Sequence, residues 1–184
     1  MKLKKKAVYT QGLLFDFINT KDAFTKLKFS KQKSSCHIIL TDKIFATLDE
    51  DKRPHVRASI YSFPSVISTS GIVEGPAKPK EYYFYKQRYT QLGVWDRKQP
   101  KLKRKFKGRF IDYQDKRITE ALKGYVAQAI FFYVTDEPFC KKKACRLFNA
   151  HWQEDLIYSQ IKSGQFCSRH RDLLKKIKKR ALKN

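Results

Sequence analysis

Cys140-Lys141-Lys142-Lys143-Ala144-Cys145-Arg146-Leu147, followed nineteen residues later by Cys167-Ser168-Arg169-His170, decides how this 184-residue chain is read. Three of its four cysteines fall inside this stretch. Two close pairs of soft or borderline ligands, joined by a span that folds back on itself, meet the needs of a tetrahedral Zn²⁺. The spacing predicts a Cys₃His zinc site near the C-terminus, made by Cys140, Cys145, Cys167 and His170. All four ligands would come from protein, which leaves no position for substrate or water, so the site reads as structural, one ion per chain. The competing readings are unrelated thiols beside a surface histidine, or a disulfide. A disulfide is disfavoured because nothing resembles a secretory signal. Three cysteines with Cys36 far away also fit Cys₃His better than two bridges.

The composition bounds the rest. The length suits one domain with a real core, expected to span residues 1–184. An apolar content of 41% and an aromatic content of 14% argue for a folded protein. No apolar run approaches the roughly 20 residues of a membrane helix, and a cytoplasmic location is the expectation. The net charge of +24 attracts polyanions whatever else the protein does. That charge gathers in a basic N-terminal segment (1–10), at 98–109 and along a C-terminal helix (171–184). Two explanations stand side by side: phosphate contacts with RNA or DNA, or the lysine-rich surface of a protein from a hot habitat. On the first, the contact residues are Lys98, Lys101, Lys103, Arg104, Lys105, Lys107, Arg169, Arg171, Lys175 and Lys176.

Outward from the cysteines, residues 115–134 form the clearest helix. Ile118, Leu122, Tyr125, Val126, Ala129, Ile130 and Tyr133 recur at spacings of three and four, and Asp115 can cap the start. A second helix is expected over 148–161, broken at Ser163-Gly164, and a basic amphipathic one over 171–182 with Leu173, Leu174, Ile177 and Leu182 inward. Upstream, residues 36–48 read as a buried strand ending at a polar turn, 56–63 as a half-exposed strand by alternation, and 65–73 as another. The last two suggest an antiparallel pair. Residues 13–18 fit a strand or a short helix, and 21–29 a weak helix. The Tyr-rich segment 81–89 reads as cross-strand packing or, less often, as a base-stacking surface. Residues 91–107 read as a loop. The fold class is α+β: a small mixed sheet packed with helices.

At this point the chain resembles the archaemetzincins, zinc peptidases of the metzincin type. Their motif is HExxHxxGxxHC-x4-C-x-M, followed further on by CxxC. Cys140-x4-Cys145-x-Leu147 and then Cys167-x-x-His170 follow its second half, with Leu147 for the methionine and His170 for the last cysteine. The similarity spans roughly residues 36–174, and only the Cys/His segment is specific. The chain also resembles, in general character, a group of predicted archaeal metallopeptidases. The resemblance implies a metzincin-like fold and the structural zinc. It does not carry the chemistry over: the three motif histidines fall on Ala129, Tyr133 and Phe139, the general-base glutamate on Ile130, and the turn glycine on Asp136. A zincin needs imidazoles around an open metal and a carboxylate to deprotonate the bound water, and these residues supply neither.

Two functions therefore compete. One is a zinc-binding protein without peptidase activity that contacts nucleic acid through its basic surface. The other is a metal-dependent hydrolase with a relocated site, for which His37, His55, His151 and Glu154 would have to converge.

Overall fold

The computed structural model describes residues 14–16, 35–48, 50 and 52–181. Six short strands come first: β1 (Leu14–Asp16), β2 (Ile38–Thr41), β3 (Ile44–Leu48), β4 (Pro54–Arg57), β5 (Ser59–Ile60) and β6 (Ser65–Ser68). Helices follow: α1 (Thr69–Glu74), α2 (Lys80–Gln91), α3 (Trp95–Lys105), α4 (Ile118–Thr135), α5 (Gln153–Ile157) and α6 (Ser168–Ala181). A π-helical turn, Tyr158–Ser163, continues α5. The architecture is mixed α and β, with the strands in two small sheets rather than the single sheet expected. β1 runs parallel to β3, and β3 is antiparallel to β4. β2 runs parallel to β6, and β6 is antiparallel to β5, pairing Ser59 with Ile67.

Several expectations change here, each for a local reason. The stretch 36–48 is two strands, because Asp42 and Lys43 turn the chain and the Lys43 N–H donates to Thr41 Oγ1 (3.1 Å). Ile44, Phe45 and Ala46 are its buried part. The strand expected over 65–73 stops at Ser68, whose hydroxyl accepts from the Gly71 N–H (2.8 Å) and caps α1. The loop expected over 91–107 is largely helix, with Trp95, Leu102 and Phe106 buried despite Pro100 inside it. The Tyr-rich segment is also helical: Tyr82, Tyr85 and Tyr89 point inward against Trp95, Leu102, Phe106 and Phe110. Residues 148–152 are not helical, because Phe148 and Trp152 lie in bridges with Cys140 and Ala77. The 13–18 segment contains β1. The basic segment 1–10, the helix expected over 21–29, Leu182 and the end of the basic helix lie outside the described residues.

The main core joins Ile67 of β6, Ile72 and Val73 of α1, Ala121, Tyr125 and Ala129 of α4, and Leu156 and Ile157 of α5. Helix α4 has a second buried side. Phe131 leaves it toward Cys145 and Leu147, and against them pack Leu173, Leu174 and Ile177 of α6. At Gly124 the helix passes so close to the π-turn that a Cβ there would stand 1.9 Å from Gln160 Oε1. One polar side chain ties the layers together. Gln153, wholly buried, donates to Ile72 O (2.9 Å) and Val73 O (3.1 Å) and accepts from the Ile111 N–H (3.0 Å).

Candidate metal centre

Each ligand stands where a backbone turn puts it. The Cys145 N–H donates to Lys142 O (2.9 Å), closing a tight turn after Cys140, and the Cys140 N–H donates to Leu147 O (2.8 Å). Cys145 forms a bridge with Gln165, and the Arg146 N–H donates to Gln165 O (2.7 Å), so the approach to Cys167 lies against the first cysteine loop. Gly164, in the left-handed conformation (φ 58), ends the π-turn and lets the chain reach Gln165. Side chains lock the arrangement: Arg146 Nε donates to Gly164 O (2.8 Å), Ser163 Oγ to Ala144 O (2.5 Å) and Gln160 Nε2 to Arg146 O (2.7 Å). His170 follows in the first turn of α6, and its ring meets Phe131 edge-on at 5.5 Å.

The four ligand atoms lie within 4.8 Å of one another. His170 Nδ1 is 3.1 Å from Cys167 Sγ and 3.6 Å from Cys145 Sγ. Bonds of about 2.0–2.3 Å to one tetrahedral ion place ligand atoms roughly 3.3–3.8 Å apart, so this donor set fits a single ion with little movement. Two backbone donors already face the sulfurs: the Lys142 N–H toward Cys140 Sγ (3.4 Å) and the Cys167 N–H toward Cys145 Sγ (3.5 Å). Such donors stabilise thiolates and orient them as ligands. All four cysteines are free thiols, and Cys36 is exposed and apart from this cluster.

Electrostatics set an order among the ligands. Burial pushes the Cys145 thiol up to about 11, against the opposing pull of the Cys167 and Leu147 N–H groups. Burial also acts upward on Cys167, but the His170 N–H, the contacts with Cys145 and Cys140, and Lys142 outweigh it and hold its thiol below the ordinary value. His170 is shifted down by burial and by Arg169, which keeps the imidazole neutral and its lone pair free to ligate. The centre borders a cleft of about 670 Å³ flanked by Pro138, Phe139, Lys141, Lys142 and Arg169. The cluster and α6 pack against α4 through Phe131 and Leu147, so a bound ion would fasten α6 to that helix.

The relocated site is not assembled. Among the described residues the Cys₃His cluster is the one group of three or more His, Cys, Asp or Glu side chains able to share an ion. His37, His55 and His151 therefore do not converge on one, and Glu154 is engaged by Arg109 Nε (2.8 Å). Ala129 is wholly buried in the main core, while Phe139 is exposed.

The basic residues divide between two surfaces. Lys98, Lys101, Lys103, Arg104 and Lys105 belong to α3, with Lys107 just beyond it, and Arg169, Arg171, Lys175 and Lys176 belong to α6. Four are occupied. Lys103 pairs with Asp112 (2.6 Å), Arg169 with Glu137 (3.0 Å) and Lys175 with Asp172 (3.7 Å). Lys105 Nζ donates to Tyr85 OH (2.7 Å) and sits 4.0 Å from that ring's centre. Lys142, whose amide faces a ligand sulfur, escaped the sequence reading; its place two residues after the first cysteine was the available signal.

No helix among the described residues is long and apolar enough to cross a membrane. A family model described as a probable metallopeptidase family (DUF6775) matches residues 1–177. No curated protein and no solved structure matches the chain.

Proposed function

We propose, from the premise that this chain belongs to the probable metallopeptidase family (DUF6775), that it keeps a metal-stabilised scaffold, lacks peptide hydrolysis and binds nucleic acid through its basic surface. Three thiols and an imidazole in a closed tetrahedral set favour Zn²⁺ as the ion, in a structural role. When bound, the ion supplies a cross-link between the cysteine loop and α6. Reduced thiols suit a cytoplasmic location.

An archaemetzincin-like descent finds support in the backbone. Asp136, where the resemblance puts the family's turn glycine, ends α4 in the left-handed conformation (φ 58, ψ 8). Aspartate tolerates that conformation and glycine adopts it freely, so the backbone there is one that the family's glycine would also take. The loss of hydrolysis finds support in the side chains, because buried Ala129 and apolar Ile130 and Phe139 stand where imidazoles and a carboxylate would be needed.

One observation carries the nucleic-acid reading. Lys98, Lys101, Arg104 and Lys107 around α3, with Arg171 and Lys176 on α6, meet no carboxylate among the described residues, in a chain of net charge +24. Unpaired cations are free to displace counterions from phosphates. The test is binding to a labelled duplex and to a labelled single strand, each followed by anisotropy as salt rises. Four phosphate contacts predict roughly a hundredfold loss of affinity between about 50 and 200 mM salt. A Lys101→Glu/Arg104→Glu variant should bind more weakly and with a shallower slope. Absent or salt-insensitive binding overturns the reading. The hydrolase alternative rests on the family description and requires a second ion. Two metal ions per chain by elemental analysis would favour it.

A further inference from the structure

Outside the metal centre and the lysines of α3, one exposed row combines rings and cations. On α2, Lys80, Phe84 and Arg88 follow one another at four-residue steps and all are exposed. Four residues of helix advance about 6 Å, so the stripe covers roughly 12 Å. Phe84 is 63% exposed, although every other aromatic position on that helix either points into the hairpin core or is less open. At the head of the stripe stands Trp152, 38% exposed, with Lys80 Nζ 6.0 Å from its ring centre. The row reads Trp152, Lys80, Phe84, Arg88: ring, cation, ring, cation.

The platform is rigid. Ala77, just before α2, and Trp152 form a parallel bridge in which the Ala77 N–H donates to His151 O (2.8 Å) and the Gln153 N–H donates to Ala77 O (2.8 Å). The next side chain, buried Gln153, fixes this backbone from beneath. Trp152, on a backbone held this way, loses little freedom when a ligand lies on it.

We propose that this row is a stacking track for single-stranded nucleic acid, with bases on Trp152 and Phe84 and phosphates on Lys80 and Arg88. The proposal rests on the nucleic-acid reading above and names the form of the polymer. Every base offers a π-face when unpaired, whereas a duplex keeps those faces inside its stack. Charge selects a polyanion over an apolar protein partner. Between residues 80 and 109 eleven cationic side chains face two acidic ones. The nearby carboxylates, Glu81 and Glu154, are both held by Arg109 (3.4 and 2.8 Å).

The two tryptophans make the test direct. Trp95 is 6% exposed within the α2–α3 core and serves as an internal reference, while Trp152 is open. Titrating the full chain with a short oligothymidylate should quench the Trp152 fraction of the emission, and Trp152→Phe should abolish the change. Phe84→Ala, at an exposed position that leaves the fold intact, should weaken binding roughly 5- to 150-fold; an unchanged melting temperature checks the fold. Oligothymidylate binding by anisotropy without quenching, and unaffected by Phe84→Ala, overturns the track while leaving the basic-surface reading in place. Equal quenching by duplex or by heparin shows a charge effect alone and also overturns it. No binding to any nucleic acid overturns both.

Discussion

Replacing Gln153 by methionine keeps the length and nearly the volume of the side chain while deleting its amide. The structure fixes what is lost. Two donated hydrogen bonds, to Ile72 O and Val73 O, disappear, and the Ile111 N–H loses its acceptor in a buried setting. A neutral hydrogen bond contributes about 0.5–1.5 kcal/mol and a buried orphaned donor costs about 1–3 kcal/mol. The sum, partly offset by the more apolar side chain, is about 2–5 kcal/mol. For a chain of this size each kcal/mol moves the midpoint by roughly 2–4 °C, so Tm should fall by roughly 5–20 °C. Thermal and urea unfolding followed by circular dichroism measure it, with Trp152 emission reporting the neighbouring bridge. Gln153→Glu should be worse than methionine at neutral pH, since a buried carboxylate still accepts from Ile111 but repels the two carbonyls. A methionine variant within about 1 kcal/mol of wild type would refute the claim that this glutamine joins α1, α5 and the segment before α4.

Three other outcomes are expected. Chelation should lower Tm, because free metal at 100 to 1,000 times its Kd stabilises the fold by about 2.7–4.1 kcal/mol. His170→Ala should remove that dependence, and equal midpoints with and without chelator would sink the structural role. Metal-free protein should lose stability as pH climbs from 9 toward 11. The Cys145 thiol is raised to about 11 when folded, so the unfolded chain ionises first and unfolding gains with rising pH; a flat stability curve across that window would count against the buried thiol. Gly124→Ala should cost about 1–3 kcal/mol, since the new methyl displaces Gln160 from Arg146 O. Combining it with Gln160→Ala should cost less than the two separate losses added together, and strict additivity would show that the two sites do not touch.

The sequence was most legible where one pattern dominated. Helix α4 announced itself because its apolar positions recur every three or four residues, and the clustering of Cys140, Cys145, Cys167 and His170 because sulfur and imidazole come in two tight pairs. It was least legible where patterns overlapped. In α2, five aromatics in eight residues hide which ones form the inward face, so Tyr82 and Phe84 look alike although one is buried and the other open. In α3, Pro100 and a crowd of cations mask the spacing of Trp95, Leu102 and Phe106. At Ser68 a run of small and β-branched residues continues from strand into helix, and only the side-chain cap marks the change. Long-range facts were beyond reach altogether. Nothing near Gln153 in sequence names Ile72 or Ile111 as its partners, and the carboxylates that occupy Lys103 and Arg169 come from other segments.

The placement of Cys140 and Cys145 on one side of residues 146–166 and of Cys167 and His170 on the other would make a bound ion a clasp on a closed ring of chain. A protease cut at exposed Asn149 or His151 would open the covalent ring without opening the clasp. The two pieces would migrate as one particle under native conditions, held by the ion and by the packing of Leu156, Ile157 and Leu173 on the first piece, and would part in milder denaturant once a chelator takes the ion away. The C-terminal piece, carrying α6 with its arginines and lysines, would then leave with most of that basic helix intact.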